Sequence, residues 1–210
     1  CSDAHDAAPK QAAKYGLTLV YRGRASIAQP DYTSNCQAAR SAGAELLDIG
    51  LDGNSVERVA RSCNSVGYHP IYAVGTLSLT PQMSSNPLLD GMGNGSTVAP
   101  WMVTSNPAVA EFRSTLQRYA PSAYVGASAG VGWVAAKLFE LAAKGLTASS
   151  PTSENLLDGL WSIKGNDLGG LTLPLTFTKG QNAPFVVCYW AVQLKRGEYT
   201  SPNQGQRICP

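Results

Sequence analysis

Charge is scarce in this chain. Of 210 residues only 14% are charged, 16 Lys and Arg against 14 Asp and Glu, for a formal net charge of +2. Such a balance leaves no electrostatic footprint for nucleic acid, and no basic amphipathic helix points to a membrane surface. Long apolar runs are missing as well, since none approaches the roughly 20 residues that span a bilayer. No hydrophobic segment stands before Cys1, so any export signal is expected to be already gone. Histidine occurs twice, and the five cysteines, Cys1, Cys36, Cys63, Cys188 and Cys209, show no C-x-x-C spacing. Neither a metal site nor a cofactor is expected from such a set. Heptads, internal repeats and low-complexity tracts are absent too. A polar small molecule is the partner that this composition best accommodates.

With zinc set aside, the cysteines read as disulfides formed outside the cytosol. Cys188 and Cys209 flank a C-terminal stretch of strand and loop character rich in Ser, Pro and Asn, where a bridge pins the tail, and they are the expected pair. Cys1, Cys36 and Cys63 lie in or near predicted helices. Three thiols cannot all pair with one another, so their pairing stays open.

Helical and strand periods alternate along the first half. Residues 3–15 read as a helix closed by Gly16, and 17–21 as a buried strand. Then come a helix over 31–42 opened by an Asp31/Thr33 cap and stopped at Gly43, a strand over 44–50, a helix over 54–66 and a strand over 70–74. This order predicts an α/β fold of parallel βαβ units with right-handed crossovers. Residues 75–100 interrupt it with Gly, Thr, Ser, Pro and Asn. They read as loop and connection, with the Gly-rich run 91–95 as a flexible link; a phosphate cradle needs a strand before it and a helix after it, and the run has neither convincingly. A second unit follows: strand-like 99–103, a helix over 107–119 with Pro107 in its first turn, strand-like 123–125, and a long helix over 128–143 closed by Gly145. A shorter helix over 153–163 stands behind a Thr152/Ser153 cap. From there the period changes, and 171–178 and 185–194 read as strands that must pair with a sheet built earlier.

Several blocks together carry a family resemblance: Pro-Asp-Tyr-Thr-x-x-Cys at 30–36, Ser-Val-x-Arg-Val-Ala-Arg-x-Cys at 55–63, Gly-Tyr-x-Pro at 67–70, Leu-Gly-Gly-Leu-Thr at 168–172, and the closing run Phe185, Cys188, Tyr189, Trp190. They resemble the type I extracytoplasmic solute-binding proteins of ABC importers, of the leucine/isoleucine/valine type, and the likeness extends over almost the whole chain. The resemblance implies two α/β lobes that close by hinge motion around a ligand. It places 1–97 in the second lobe, 98–167 in a portion of the first, and 168–210 in a β-rich return to the second. It also implies that most of the first lobe lies outside this chain, which then reads as a fragment. On another account Cys1 is the lipid-modified start of a mature lipoprotein.

By the same resemblance, ligand contacts fall at the carboxyl ends of second-lobe strands, within 2–5, 51–54 and 75–78. Candidate contacts are Asp3, His5, Asp52, Asn54, Thr76 and Leu77, with Trp101 and Ser128 from the other portion. Aligned by motif, Asp52 stands where relatives carry an aromatic contact, and Thr76 where they carry the acid that neutralises an amino group. A free amino group wants a carboxylate within hydrogen-bonding reach, so Asp52 either takes over that pairing or the ligand has no such group. Asp52 equally suits the cap of the helix that begins near Asn54, and Asp3 and His5 equally suit solvated cap roles. The four tryptophans read mainly as core, with only Trp101 near the lobe crossing.

The run Gly-Ala-Ser-Ala-Gly at 126–130 matches the G-x-S-x-G nucleophile elbow between a short strand and a helix. An elbow of that type is followed in the chain by its acid and its histidine, yet His5 and His69 both precede Ser128. A non-catalytic receptor is therefore expected: an extracytoplasmic binding protein for an amino acid or related solute, delivering to an ABC permease. A ligand sensor on the same fold and a Ser128 hydrolase are its rivals.

Overall fold

Two of the three parallel strands follow directly from the alternation in the first half. The computed structural model describes residues 2–146, 151–183 and 188–209. β1 (Leu46–Ile49), β2 (Ile71–Val74) and β3 (Gly93–Ser96) run parallel, with Leu46 opposite Ile71 and Val74 opposite Asn94. β4 (Tyr189–Lys195) then joins β3 antiparallel, Ser96 facing Trp190. β5 (Glu198–Thr200) and β6 (Arg207–Ile208) pair with β4 on its other side. The resulting sheet is mixed, in the order β1-β2-β3-β4-β5 with β6 on β4. The expectation that the β-rich tail completes an earlier sheet is met.

Seven helices surround these strands among the described residues: α1 (Ser2–Lys14), α2 (Thr33–Ser41), α3 (Gly53–Ser65), the single turn α4 (Pro81–Ser84), α5 (Pro107–Tyr119), α6 (Ala127–Ala143) and α7 (Ser153–Trp161). α3 forms because Val56, Val59, Ala60 and Cys63 repeat at the helical period and all four are buried. α2 offers Cys36 and Ala39 to the same interior. The two stripes meet, and Cys36 is bonded to Cys63. That bridge answers the pairing left open by the sequence. Cys188 is bonded to Cys209 as expected.

Five expectations are corrected. Residues 17–21 form no strand, and Leu17, Leu19 and Val20 are exposed, because β1 is the outer strand of the ladder and 17–21 join no partner there. The Gly-rich link 91–95 is no loose connection: it enters the centre of the sheet as β3. Asn94 Nδ2 donates to Val74 O at 2.6 Å, and a Cβ on Gly95 would already touch the Tyr189 ring at 3.4 Å. Ladder bonds from both neighbours override the poor strand propensity of Gly-Asn-Gly-Ser. Residues 99–103 and 123–125 form no strand. At the first, Pro100 has no N–H to give and Val103 N closes back on Pro100 O. Residues 171–178 contribute one isolated bridge, Asn166 to Leu175, because Pro174 breaks the donor series. The start of the strand expected over 185–194 lies outside the described residues.

Helices α6 and α7 cross at unusually close range. A Cβ at Gly159 would lie 1.9 Å from Ala142 O, so only glycine permits the approach. Gly159→Ala is expected to lose about 1–2 kcal/mol of stability, because the clash outweighs the ~1 kcal/mol that alanine gains in helix propensity. An unchanged urea midpoint would contradict so tight a crossing.

Candidate functional site

Parallel strands in an open α/β sheet leave a ligand-accessible edge at their carboxyl ends. Here that edge is made by the loops after β1, β2 and β3, namely 50–54, 75–80 and 97–103. Hydrogen bonds tie the first loop to the second and the second to β3. Ser78 Oγ donates to Leu51 O at 2.6 Å, and Thr76 Oγ1 donates to Gly95 O at 3.4 Å. A Cβ on Gly53 would meet Ser78 O at 2.6 Å and Thr80 Cγ2 at 2.5 Å, so the first turn of α3 presses on the second loop. The edge is a fixed platform.

Asp52 sits at the N-cap of α3 in extended backbone. Its Oδ1 accepts from Ser55 N at 3.2 Å, and its Oδ2 accepts from Ser55 Oγ at 2.6 Å. These bonds, the hydroxyl's foremost, hold the carboxyl below the usual aspartate range even though partial burial opposes them. A depressed folded-state value means that the charged cap stabilises the fold above the unfolded value and stops doing so as pH falls through the folded one. Asp52→Ala is therefore expected to cost about 1 kcal/mol at pH 7. Urea midpoints of variant and parent should draw together as pH falls through the folded-state value; a gap that stays undiminished on acidification would refute the charged cap.

Leu77 lies on a single 3-10 turn, Thr76–Ser78, and is 66% exposed. Asn54, in the first turn of α3, is exposed beside it in the edge. α6 packs on the 76–78 turn, and Ala127 in its first turn is buried in the same cluster as Leu79. Ser128 stands in that helix's first turn and is exposed, so the structure brings Thr76, Leu77 and the Ser128 end of α6 together. Gly126 caps α6 without a side-chain hydrogen bond, and the Tyr124 ring occupies the space that a Cβ there would need.

Trp101 is placed differently. It is 8% exposed, its ring meets Tyr199 edge-on at 5.4 Å between centroids, and its carbonyl accepts from Arg113 Nη1 at 3.1 Å. The Tyr199 hydroxyl donates to Thr80 O at 2.7 Å, and burial, followed by the nearby Tyr124 and Glu57, pushes that phenol upward. Trp101 thus belongs to the wall beneath the edge. Asp3 and His5 stand in the first turns of α1, and their side chains lie outside the described residues.

Sequence reasoning missed Ser55, Ser78 and Tyr199, which hold the edge together. The Asp52-x-x-Ser55 spacing was a readable cap signal; nothing local marked the other two. For the Ser128 elbow, His69 is an exposed residue before the amino end of β2, whereas α6 begins against the turn beyond its carboxyl end. The length of β2 alone, about 13 Å at ~3.3 Å per residue, separates them. Among the described residues no group of three His, Cys, Asp or Glu could hold a metal ion.

The family described as periplasmic binding protein matches residues 1–199. Among solved structures, a leucine-binding protein from Thermotoga maritima shares 13% identity with a TM-score of 0.72, covering 94% of this chain and 54% of that one. A fatty acid ABC transporter substrate-binding protein from Thermomonospora curvata shares 17% with a TM-score of 0.79, covering 95% and 52%. A solute-binding protein of an ABC transporter from Rhodopseudomonas palustris, in complex with benzoate, shares 11% with a TM-score of 0.73, covering 96% and 54%. The chain spans about half the length of these structures. No curated protein matches it.

Proposed function

Since the chain belongs to the periplasmic binding protein family, we propose that it is part of an extracytoplasmic receptor that captures a small organic solute and hands it to an ABC permease. The observation that carries this reading is the stitched edge at the carboxyl ends of β1, β2 and β3, with Leu77 and Asn54 exposed on it and the amino end of α6 against it. A rigid wall with exposed side chains suits recognition by shape and hydrogen bonding, the way small-molecule sites work. The solute is an amino acid or a related organic acid: the similar structures are named for leucine and fatty acid or hold benzoate, and all three ligands carry a carboxylate. In this reading 1–97 and 168–210 form one lobe and 98–167 part of the other, and polypeptide beyond this chain completes the opposite wall. Asn54, Thr76, Leu77 and Ser128 are the proposed contacts.

A thermal-shift screen of the full chain against amino acids and aliphatic and aromatic acids tests it. A ligand bound only by the folded state raises the melting temperature by mass action, worth about 4 kcal/mol at a thousandfold excess over its Kd. A flat response across the whole screen would sink the receptor reading.

A further inference from the structure

Apart from the edge, we infer that this chain holds a further binding site, for a small monocarboxylate, with Arg113 as its cation. The site is a cavity of about 220 Å³ lined by Arg113, Gln117, Ala120, Pro121, Ala123 and Val125. Arg113 and Gln117 stand one turn apart on the same face of α5, and the chain beyond the helix supplies the opposite wall. Two backbone bonds fix that wall: Ala120 N donates to Leu116 O at 2.8 Å, and Ala123 N donates to Ala120 O at 2.9 Å. Val125 packs against the core. The cavity is thus formed by the fold itself, and Arg113 ties it to the loop after β3, where its Nη1 donates to Trp101 O at 3.1 Å.

What this cavity lacks is a counter-charge. Arg113 is half-buried, its Nε and Nη2 have no partner among the described residues, and it joins none of the ion pairs there, which engage Arg61 and Lys137. Between Glu111 and Glu140 the sequence has no acid at all, and Lys137 pairs with both of those carboxylates. A guanidinium with its remaining N–H groups free takes a carboxylate through two parallel hydrogen bonds, and the Gln117 carboxamide is a further donor beside it. The small side chains of Ala120, Pro121 and Ala123 leave room for a short hydrocarbon tail. The last carbonyls of α5 oppose an anion, yet Leu116 O is already taken by Ala120 N, and a full positive charge outweighs the partial charge of a helix end. α6 begins at Ala127, two residues past Val125, with no side-chain cap, so its partial positive end adds to the attraction.

Calorimetric titration of the full chain with propanoate and butanoate, and with propanamide and butanamide as their neutral matches, tests this site. The acids are expected to bind about tenfold more tightly than the amides or better, because only they make charge-assisted bonds to Arg113. Ala123→Leu fills the cavity from an exposed position, so it should abolish this binding while leaving the melting temperature within a degree or two. Arg113→Gln should erase the preference for the charged member, and Arg113→Lys should restore part of it. Equal binding of acids and amides overturns the inference, as does acid binding that survives both Ala123→Leu and Arg113→Gln. Acid binding that survives those two and is lost in Leu77→Asp seats the carboxylate at the edge, which overturns this site and leaves the receptor reading standing. Absence of acid binding overturns the inference as well, and the receptor reading then rests on the amino acids of the thermal-shift screen.

Discussion

Replacing Trp101 by alanine is expected to cost about 3–5 kcal/mol of folding stability, the range for removing a buried indole from a packed interior. The indole is 8% exposed and lies in one cluster with Leu79, Met83, Phe112 and Leu194. Its edge-on contact with Tyr199 adds about 1 kcal/mol of its own. Because Tyr199 also holds Thr80 O, the cavity should loosen the loop that carries Thr76 and Leu77. Trp101→Phe keeps an aromatic edge toward Tyr199 and should retain more than half of the lost stability. Urea unfolding of the three proteins decides the matter. A Trp101→Ala protein of parental stability that fails to bind solute would instead make the indole a ligand contact.

The second large effect is expected from the double variant Cys36→Ala/Cys63→Ala, which should unfold about 3–4 kcal/mol more readily than the parent. The bridge joins residues 27 apart in sequence, and the loop-closure entropy it removes from the unfolded chain has about that size. Both cysteines are 1% exposed or less, between the facing stripes of α2 and α3. Cys209, by contrast, is exposed and Cys188 half-buried. Mild reductant should therefore open Cys188–Cys209 first and reach Cys36–Cys63 only when the α2–α3 pair comes apart. Thiol labelling with mass-spectrometric readout measures the order. Equal rates at the two bridges would refute the protection argued here.

How much of this was legible in the chain depends on how local the signal is. α3 announced itself because four buried side chains repeat at the helical period and Asp52 suits its cap. α5 did so through Pro107 in its first turn, although the Asn106 side chain that accepts from Ala108 N went unread. β3 was illegible, since Gly-Asn-Gly-Ser has the composition of a turn. It is a strand only because Val74 and Val192 flank Asn94 in the ladder, and nothing within four residues records that. The opposite error arose at 99–103, where apolar residues suggested a strand but were buried in a turn around Pro100. Cys36 and Cys63 lay on the buried stripes of their own helices, so the clue to their bond was present; the meeting of the stripes is a tertiary fact. At the edge, the sequence left Asp52 as either cap or amine partner. Geometry assigns its oxygens to Ser55.

β3 has one more consequence. It lies between β2, finished only some twenty residues earlier, and β4, which the chain supplies about ninety residues later. Until that last strand emerges, β3 holds an open backbone edge lined by glycines, and so distant a pairing is slow to form. A ribosome that makes these residues in order therefore leaves the sheet unsealed from β3 until β4, with Trp190, Val192 and Leu194 still to arrive and cover the interior. The sheet therefore closes only once β4 has been made.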